Sequence, residues 1–333
     1  MTCRSIFVLL VSLIPPCAPA QDVQQRAEAL LDKARQLSDI RSPNAPGFRL
    51  KATFSFVGKN LDSVQGTYTE VWVSKSQWRR ETVVNDQRRI EVGGPSRLWQ
   101  LDSTADFPEQ AASFPRVVDI FPSQSASLAF DSISDHSEVD PPTECAISKP
   151  NNRQLKSAFC FDKVSGLLVA KIFPGVRPTN AVEESCNYGS FQKIGDRRFP
   201  REMMCFEDRH RKLDAKVIEL SFEPSPDPAL FTPPRAAIEL GQCAGKTVPP
   251  HAIDSPSPQT PFGSQGQSSQ VTLSVVVDTN GKPQNVKVVN SAGAHSDEAA
   301  LRAMRNWRFK PATCGGEPMP MMIEIQFAFY THR

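Results

Sequence analysis

The cysteines are the residues of this sequence whose type and spacing specify chemistry most directly. Cys3 and Cys17 lie in an apolar leader, and the other cysteines follow it: Cys145, Cys160, Cys186, Cys205, Cys243 and Cys314. An even number of cysteines in an exported chain is typical of disulfides. Because closing a short loop costs little chain entropy, we predict that Cys145 pairs with Cys160 and Cys186 with Cys205. Cys243 is then left to bond Cys314.

Metal-binding and catalytic motifs are absent from the sequence. The 5 histidines are scattered and no Cys-x-x-Cys pair accompanies them, so a zinc site is not indicated. Nucleophile elbows and phosphate-binding motifs are absent too. The glycine-rich segment 93–96 fits a tight hairpin, because Pro95 has no N–H for a phosphate. We predict no catalytic residues, metal ligands or cofactors; an active site formed by residues distant in sequence is the alternative.

The charge balance excludes one class of partner. Lys and Arg total 38, Asp and Glu total 36, and the formal net charge is +2. Nucleic-acid binding requires a basic patch or stripe, and no long run of one sign occurs. We therefore predict that nucleic acid is not a partner.

The first twenty residues have the pattern of an export signal. Arg4 precedes an apolar run from Ile6 to Ile14, and Ala18-Pro19-Ala20 is a small-x-small cleavage pattern. The run is shorter than the roughly 20 apolar residues that span a bilayer. We therefore expect residues 1–20 to be a signal peptide and the mature protein, from Gln21, to be periplasmic and not membrane-spanning. An uncleaved inner-membrane anchor and a lipoprotein are the alternatives.

Residues 21–235 have the pattern of one helix followed by about ten strands. The helix carries an apolar stripe of Val23, Ala27, Leu30, Leu31, Ala34, Leu37 and Ile40. Phe48 to Phe56 then alternates apolar and polar residues, as a half-buried strand does. We predict further strands at 66–74, 78–84, 88–93, 96–101, 155–161, 167–173, 187–194, 199–206 and 215–222, with partly helical structure at 111–121. Short turns favour an antiparallel, strongly curved sheet, with the helix over its concave face.

Aromatic residues are concentrated in this curved-sheet region. They are Phe48, Phe54, Phe56, Tyr68, Trp72, Trp78 and Trp99. Most are expected to form core, but a curved sheet with a helical lid can also enclose an apolar cavity. A pocket for an apolar ligand is therefore a hypothesis.

A proline-rich segment divides the chain. Prolines crowd the stretch from Pro224 to Pro261, and Ser, Gln and Gly continue the same composition to Ser269. Such segments are mostly extended and solvated. We predict that residues 236–269 are a linker between a domain at 21–235 and a second domain at 270–333.

The second domain has a β-β-α-β pattern. Residues 271–277 alternate before a turn at Asn280-Gly281, and 285–290 form the return strand. Ser296 is the expected N-cap of a helix that ends before Pro311, with a buried stripe of Ala300, Leu301, Met304 and Trp307. Ile323 to Phe329 alternates again as the last strand. The fold class is therefore α+β.

The stretch Ser291 to Ala312 resembles the C-terminal domain of TonB-family proteins over about residues 270–330. The matching features are the Asp297 to Leu301 helix start, Trp307-Arg308-Phe309 and Pro311-Ala312. The resemblance implies a periplasmic domain that binds a segment of an outer-membrane receptor by adding it as a strand. The implied edge strand is Met321, Met322, Ile323, Glu324, Ile325, Gln326, Phe327, Ala328 and Phe329. The chain departs from the family in lacking the usual Tyr-Pro before the first strand, where Thr260-Pro261-Phe262 stands instead.

The N-terminal region resembles the periplasmic lipoprotein-carrier and lipoprotein-sorting family. The residues that carry this likeness are the leading helix, the hairpin from Gly66-Thr67-Tyr68 to Trp78-Arg79-Arg80-Glu81, and the ending Asp227 to Pro233. The resemblance implies an incomplete β-barrel with a helical lid and an apolar cavity.

Together the two resemblances predict a non-enzymatic periplasmic protein that serves envelope transport. Its expected partner is an outer-membrane receptor or another envelope protein, bound at the edge strand 321–329. The alternative is a carrier of lipid or lipoprotein in which the second domain only docks, and an unrecognised enzyme is a third possibility.

Overall fold

The computed structural model describes residues 19–57, 63–94, 96–104, 107–121, 128–150, 156–174, 183–223, 225–243, 246–258 and 269–329. Most of the predicted signal peptide, residues 1–18, lies outside them. Within the described ranges, no helix is long and apolar enough to cross a membrane.

The first region is one helix followed by a long antiparallel sheet. Its elements begin with α1 (Pro19–Ser38), β1 (Phe48–Val57), β2 (Ser63–Ser74), β3 (Gln77–Val84), β4 (Gln87–Gly93), β5 (Arg97–Asp102), α2 (Glu109–Ala112) and α3 (Pro115–Val118). They continue with β6 (Phe130–His136), β7 (Thr143–Ser148), β8 (Ala158–Asp162), β9 (Leu168–Pro174), β10 (Glu183–Gly189), β11 (Gln192–Ile194), β12 (Arg197–Phe199), β13 (Glu202–Glu207), β14 (His210–Phe222) and β15 (Ile238–Gly241). The sheet order is β15-β5-β4-β3-β2-β1-β14-β13-β10-β9-β8-β7-β6.

Strict alternation in β1 explains its central place. Phe48, Leu50, Ala52 and Phe54 are buried, whereas the residues between them are more exposed. One face therefore packs on the core, while the backbone pairs antiparallel with β2 on one side and β14 on the other. The large curved sheet is confirmed; in the part of the chain described it ends at β15 and β6 rather than closing into a barrel.

Helix α1 and the segment with α2 and α3 supply the other side of this core. Ala27, Leu31 and Ala34 of α1 are buried. The Gln24 side chain accepts from the Phe130 N–H and donates to the Leu128 carbonyl. It thus satisfies backbone groups at the start of β6, the last strand of the sheet.

Strands β6 and β7 were missed by the sequence analysis. β6 reads Phe-Asp-Ser-Ile-Ser-Asp-His, and only its first residue is buried. As the outermost strand it needs few apolar side chains, so it carries no clear alternation. The predicted strands near 187–194 and 199–206 are each divided in two, giving β10 with β11 and β12 with β13.

The C-terminal unit contains β16 (Thr247–Val248), β17 (His251–Asp254), β18 (Ser269–Val277), β19 (Pro283–Asn290), α4 (Ala294–Asn306), β20 (Arg308–Lys310), β21 (Ala312–Cys314), β22 (Glu317–Met319) and β23 (Met321–Phe329). The main sheet has the order β19-β18-β23. Its predicted β-β-α-β pattern is confirmed, with β20, β21 and β22 added between α4 and β23.

The predicted linker, 236–269, is partly built into the fold. β15 pairs with β5 of the large sheet, whereas β16 and β17 pair with β21 and β20. All side chains of β16 and β17 are exposed. The side chains of β16 and β17 are therefore solvated, whereas Leu240 of β15 is buried. The backbone of all three strands is paired, and pairing needs no apolar side chain. Residues 259–268 lie outside the described part of the chain.

The beginning of α4 differs from the prediction. The N-cap is Gly293 rather than Ser296, which lies inside the helix and is buried. Asp297 supplies the capping contacts, because its carboxylate accepts from the Ala292 N–H at 3.0 Å and from the Ser291 hydroxyl at 2.5 Å. The buried stripe of α4 also shifts: it includes Ala299 and Ala303, and Leu301 and Trp307 are only partly buried.

Three disulfides join Cys145 to Cys160, Cys186 to Cys205 and Cys243 to Cys314. These are the pairs that loop closure predicted. The first two link directly opposed residues on neighbouring strands. The third connects the segment after β15 to β21, and therefore ties the two units together.

The turn between β18 and β19 depends on Gly281. Its φ is +75°, and an added Cβ would overlap the carbonyl oxygen of Phe309. We expect Gly281→Ala to lower the free energy of unfolding by about 2 to 3 kcal/mol, measured by urea denaturation. Gly315→Ala is the matched control, because Gly315 also has a positive φ, +59°, but its Cβ would meet nothing within 4 Å. A loss of about 1 kcal/mol is expected there, and equal losses would contradict the role given to the close approach.

Candidate partner-binding edge

Strand β23 ends the main sheet of the C-terminal unit. It pairs antiparallel with β18 over its whole length, from Met321 opposite Val277 to Phe329 opposite Ser269. Among the described residues no other strand pairs with it. Its second edge therefore offers backbone N–H and C=O groups to a further strand.

The two faces of β23 differ as the sequence predicted. Phe327 and Phe329 are buried, whereas Glu324, Gln326 and Ala328 are exposed. Gln326 accepts a hydrogen bond from Gln270 of β18 at 3.1 Å. The core face fixes the register of the strand, and the polar face stays in solvent.

The helix covers the sheet unevenly. α4 packs over β18 and β19, and Leu273 and Val275 of β18 are completely buried beneath it. Their partners across the ladder, Ile325 and Ile323 of β23, are only half-buried. The core face of β23 is therefore open at its outer side.

Trp307 packs beside the core face of β23. It follows α4 directly, and its ring meets the Phe327 ring edge-on at 5.3 Å between centroids. The indole N–H donates to the carbonyl of Pro256 at 3.1 Å. Trp307 was predicted to be core, but its half-burial places it at the border of the core and the open face.

The start of β23 is tied to the N-terminal region. The Gly241 N–H of β15 donates to the carbonyl of Pro320 at 2.7 Å, and the Cys243 disulfide lies two residues further along. The available edge therefore begins after this point and runs toward Phe329.

Phe114 occupies part of the space between the sheet and the segment with α2 and α3, where the apolar cavity was predicted. Phe114, between α2 and α3, is completely buried; its ring stacks on Phe54 at 4.3 Å and meets Tyr68 at 5.2 Å. A groove of about 870 Å³ lies elsewhere, and its lining mixes polar residues such as Thr53 and Ser55 with apolar ones such as Val83 and Met204.

A buried ion cluster lies beside this packed core and was not foreseen from the sequence. The Glu70 carboxylate is completely buried and accepts hydrogen bonds from Arg41, Arg80 and the Tyr68 hydroxyl. Burial alone would raise the pKa of Glu70, but the charges of both arginines outweigh it and lower the pKa to about 2. The sequence did contain an indication of its burial. Glu70 is two residues from both Tyr68 and Trp72 in the same strand, and it therefore points to the same buried face.

Lys171 forms hydrogen bonds to the backbone of the segment that contains α2 and α3. Its ammonium group donates to the carbonyls of Arg116 and Asp119 at 3.0 and 2.9 Å. Burial lowers its pKa to about 8. Arg41 also donates to the Val118 carbonyl, so two cations bind the C-terminal end of α3, where helix carbonyls lack partners.

No group of His, Cys, Asp and Glu residues suited to a metal ion occurs within the described ranges. A comparison with curated proteins finds no significant match to the chain.

Two solved structures are similar to the chain at low identity. A LolA superfamily protein from Nitrosomonas europaea is 13% identical, with 62% of this chain and 97% of that chain covered and a TM-score of 0.42. A putative outer membrane lipoprotein-sorting protein domain from Vibrio parahaemolyticus is 10% identical, with the same shares covered and a TM-score of 0.40. Both are proteins of the kind that the N-terminal region was predicted to resemble.

The C-terminal unit gives a direct sequence match. Residues 263–331 match the profile of the family described as Gram-negative bacterial TonB protein C-terminal. This range contains β18, β19, α4 and β20 to β23. The C-terminal unit of this chain is therefore similar to the C-terminal domain of Gram-negative bacterial TonB proteins.

Proposed function

We propose that this chain is a non-enzymatic periplasmic protein that binds an extended segment of an outer-membrane receptor or another envelope protein by strand addition to β23. The observation that carries the proposal is the position of β23 at the end of the sheet, paired with β18 on one side only in the described structure. The family match at 263–331 supports it.

In β23 the side chains on one face hold the strand on the core, and the backbone of one edge is free to pair. Phe327 and Phe329 hold the strand on the core, so the second edge can accept a partner without loss of packing. Main-chain hydrogen bonds would supply affinity, and neighbouring side chains would supply specificity. Cleavage of residues 1–20 and release into the periplasm belong to the same proposal.

Proline in β23 tests this role. We expect Gln326→Pro to weaken capture of envelope proteins by the immobilised mature chain at least about tenfold, because proline lacks an N–H and its ring obstructs the ladder. Gln326→Thr is the matched control and should bind like the parent, since threonine suits a strand. Quantitative pulldown from envelope extract measures both.

A loss of binding is informative only if the variant is folded. Both variants are first compared with the parent by circular dichroism and thermal unfolding, because proline also strains strands. If folded Gln326→Pro retains parental binding, recognition does not use this edge. The carrier function would then be the better account.

A further inference from the structure

We infer that the segment accepted by β23 alternates apolar and polar side chains and carries a basic side chain opposite Glu324. This inference rests on the proposed strand addition and specifies the chemistry of the partner. A strand added to β23 would continue both faces of the sheet, so its alternate side chains would meet two different surfaces.

The helix side of β23 is suited to apolar side chains. Ile323 and Ile325 are half-buried, although their ladder partners Val275 and Leu273 are completely buried. α4 packs on β18 and β19, and the half-buried Trp307 lies beyond it against Phe327. Inward side chains of an added strand would cover this apolar shelf, defined here as Ile323, Ile325 and Trp307, and would remove it from water.

The opposite face carries one charge. Glu324 is the sole charged residue of β23 and is exposed. Ser274 of β18 lies across from it, and Lys287 of β19 lies across from Ser274. Lys287 is directed to Asp102 of the large sheet, with Nζ 3.9 Å from the carboxylate.

Glu324 is therefore left for a partner. In the part of the chain that the structure describes, none of the ion pairs includes it. A directly opposed Lys or Arg on an added strand would form a cross-strand ion pair, whereas Asp or Glu there would be repelled. Charge complementarity thus selects a basic segment over an acidic one.

Three synthetic peptides test the inference with the full mature chain. The first, Thr-Val-Lys-Val-Lys-Val-Thr, alternates apolar and polar residues; the second replaces both lysines by glutamate. The third has the composition of the first with its three valines placed together. Calorimetry should show the lysine peptide binding about three- to tenfold more tightly than the glutamate peptide, and more tightly than the rearranged one.

Substitutions of Glu324 test whether this residue causes the preference for the lysine peptide. Glu324→Lys should reverse the preference between the lysine and glutamate peptides, and Glu324→Gln should reduce it to within about twofold. Glu317→Lys is the matched control, because Glu317 is an exposed residue of β22 in the same unit. It changes the net charge equally and should leave the preference unchanged.

The possible failures are distinguishable. If all three peptides bind equally well and Gln326→Pro weakens all of them, strand addition stands and the inferred partner chemistry is wrong. If Glu317→Lys reverses the preference as Glu324→Lys does, the selection is a general charge effect and the inference is overturned. If none of the peptides binds the parent chain while Gln326→Pro still weakens capture of envelope proteins, strand addition stands and the inferred partner chemistry is wrong. If Gln326→Pro also leaves that capture unchanged, the proposed strand addition is itself contradicted.

Discussion

Replacing Glu70 with glutamine is expected to lower the free energy of unfolding by about 3 to 5 kcal/mol at neutral pH. Glu70 is completely buried, and the side chains of Arg41 and Arg80 that bind it are 12% and 19% exposed. Removing the negative charge would leave two largely buried cations without the one carboxylate that both of them contact. Urea denaturation followed by circular dichroism measures the change.

A matched control lies on β3, next to Arg80. Glu81 pairs with Arg79 and Arg88, but its side chain is 26% exposed and water screens the interaction. Glu81→Gln should therefore cost less than about 1 kcal/mol. Similar losses in the two variants would contradict the role assigned to burial of Glu70.

The Glu70 effect should also depend on pH. Its pKa in the folded protein, about 2, lies below the ordinary 4.5, so the folded state favours the charged form. The stabilisation is then fully present above about pH 4.5 and is lost as the pH falls toward 2. The stability difference between the parent and Glu70→Gln should shrink over that range; a constant difference would show that charge is not its cause.

Phe114→Ala is expected to destabilise the N-terminal region by about 3 to 5 kcal/mol. The side chain is completely buried and stacks on Phe54, so its removal loses burial and leaves a cavity against the sheet. Thermal and urea unfolding measure the loss.

Phe222→Ala is the control for Phe114→Ala. Phe222 ends β14 and is 41% exposed, so its removal should cost less than about 1 kcal/mol. If Phe114→Ala lowered the free energy of unfolding no more than Phe222→Ala does, the packing of the concave face would not require this side chain. The case for an apolar ligand in its place would then be strengthened.

Elements with one apolar face could be predicted from the sequence. β1 and β23 each alternate buried and less buried residues, and α1 carries a clear stripe. The alternation of β18 in the sequence also identified a strand, although that central strand is buried on both faces. The edge strand 321–329 was recognised because its alternation coincides with the motif around Trp307. Disulfide pairing followed from loop length, since both short loops link opposed strands.

Features held by backbone or by charge could not be predicted in the same way. β17 is entirely exposed and is recognisable only through its pairing with β20. The ion cluster depends on Arg41 from the turn after α1 meeting Glu70 of β2 and Arg80 of β3, which local patterns do not encode. The open side of β23 depends on where α4 lies, and that is a tertiary property.

Hydrogen exchange of the mature chain with and without the lysine-containing peptide tests the central claim most directly. Strand addition predicts slower exchange at alternate amides of β23, those whose N–H groups face the free edge. Exchange in β19, at the other end of the same sheet, should stay unchanged. Saturating peptide that leaves every β23 amide at its free rate, or that protects β19 instead, would contradict the account.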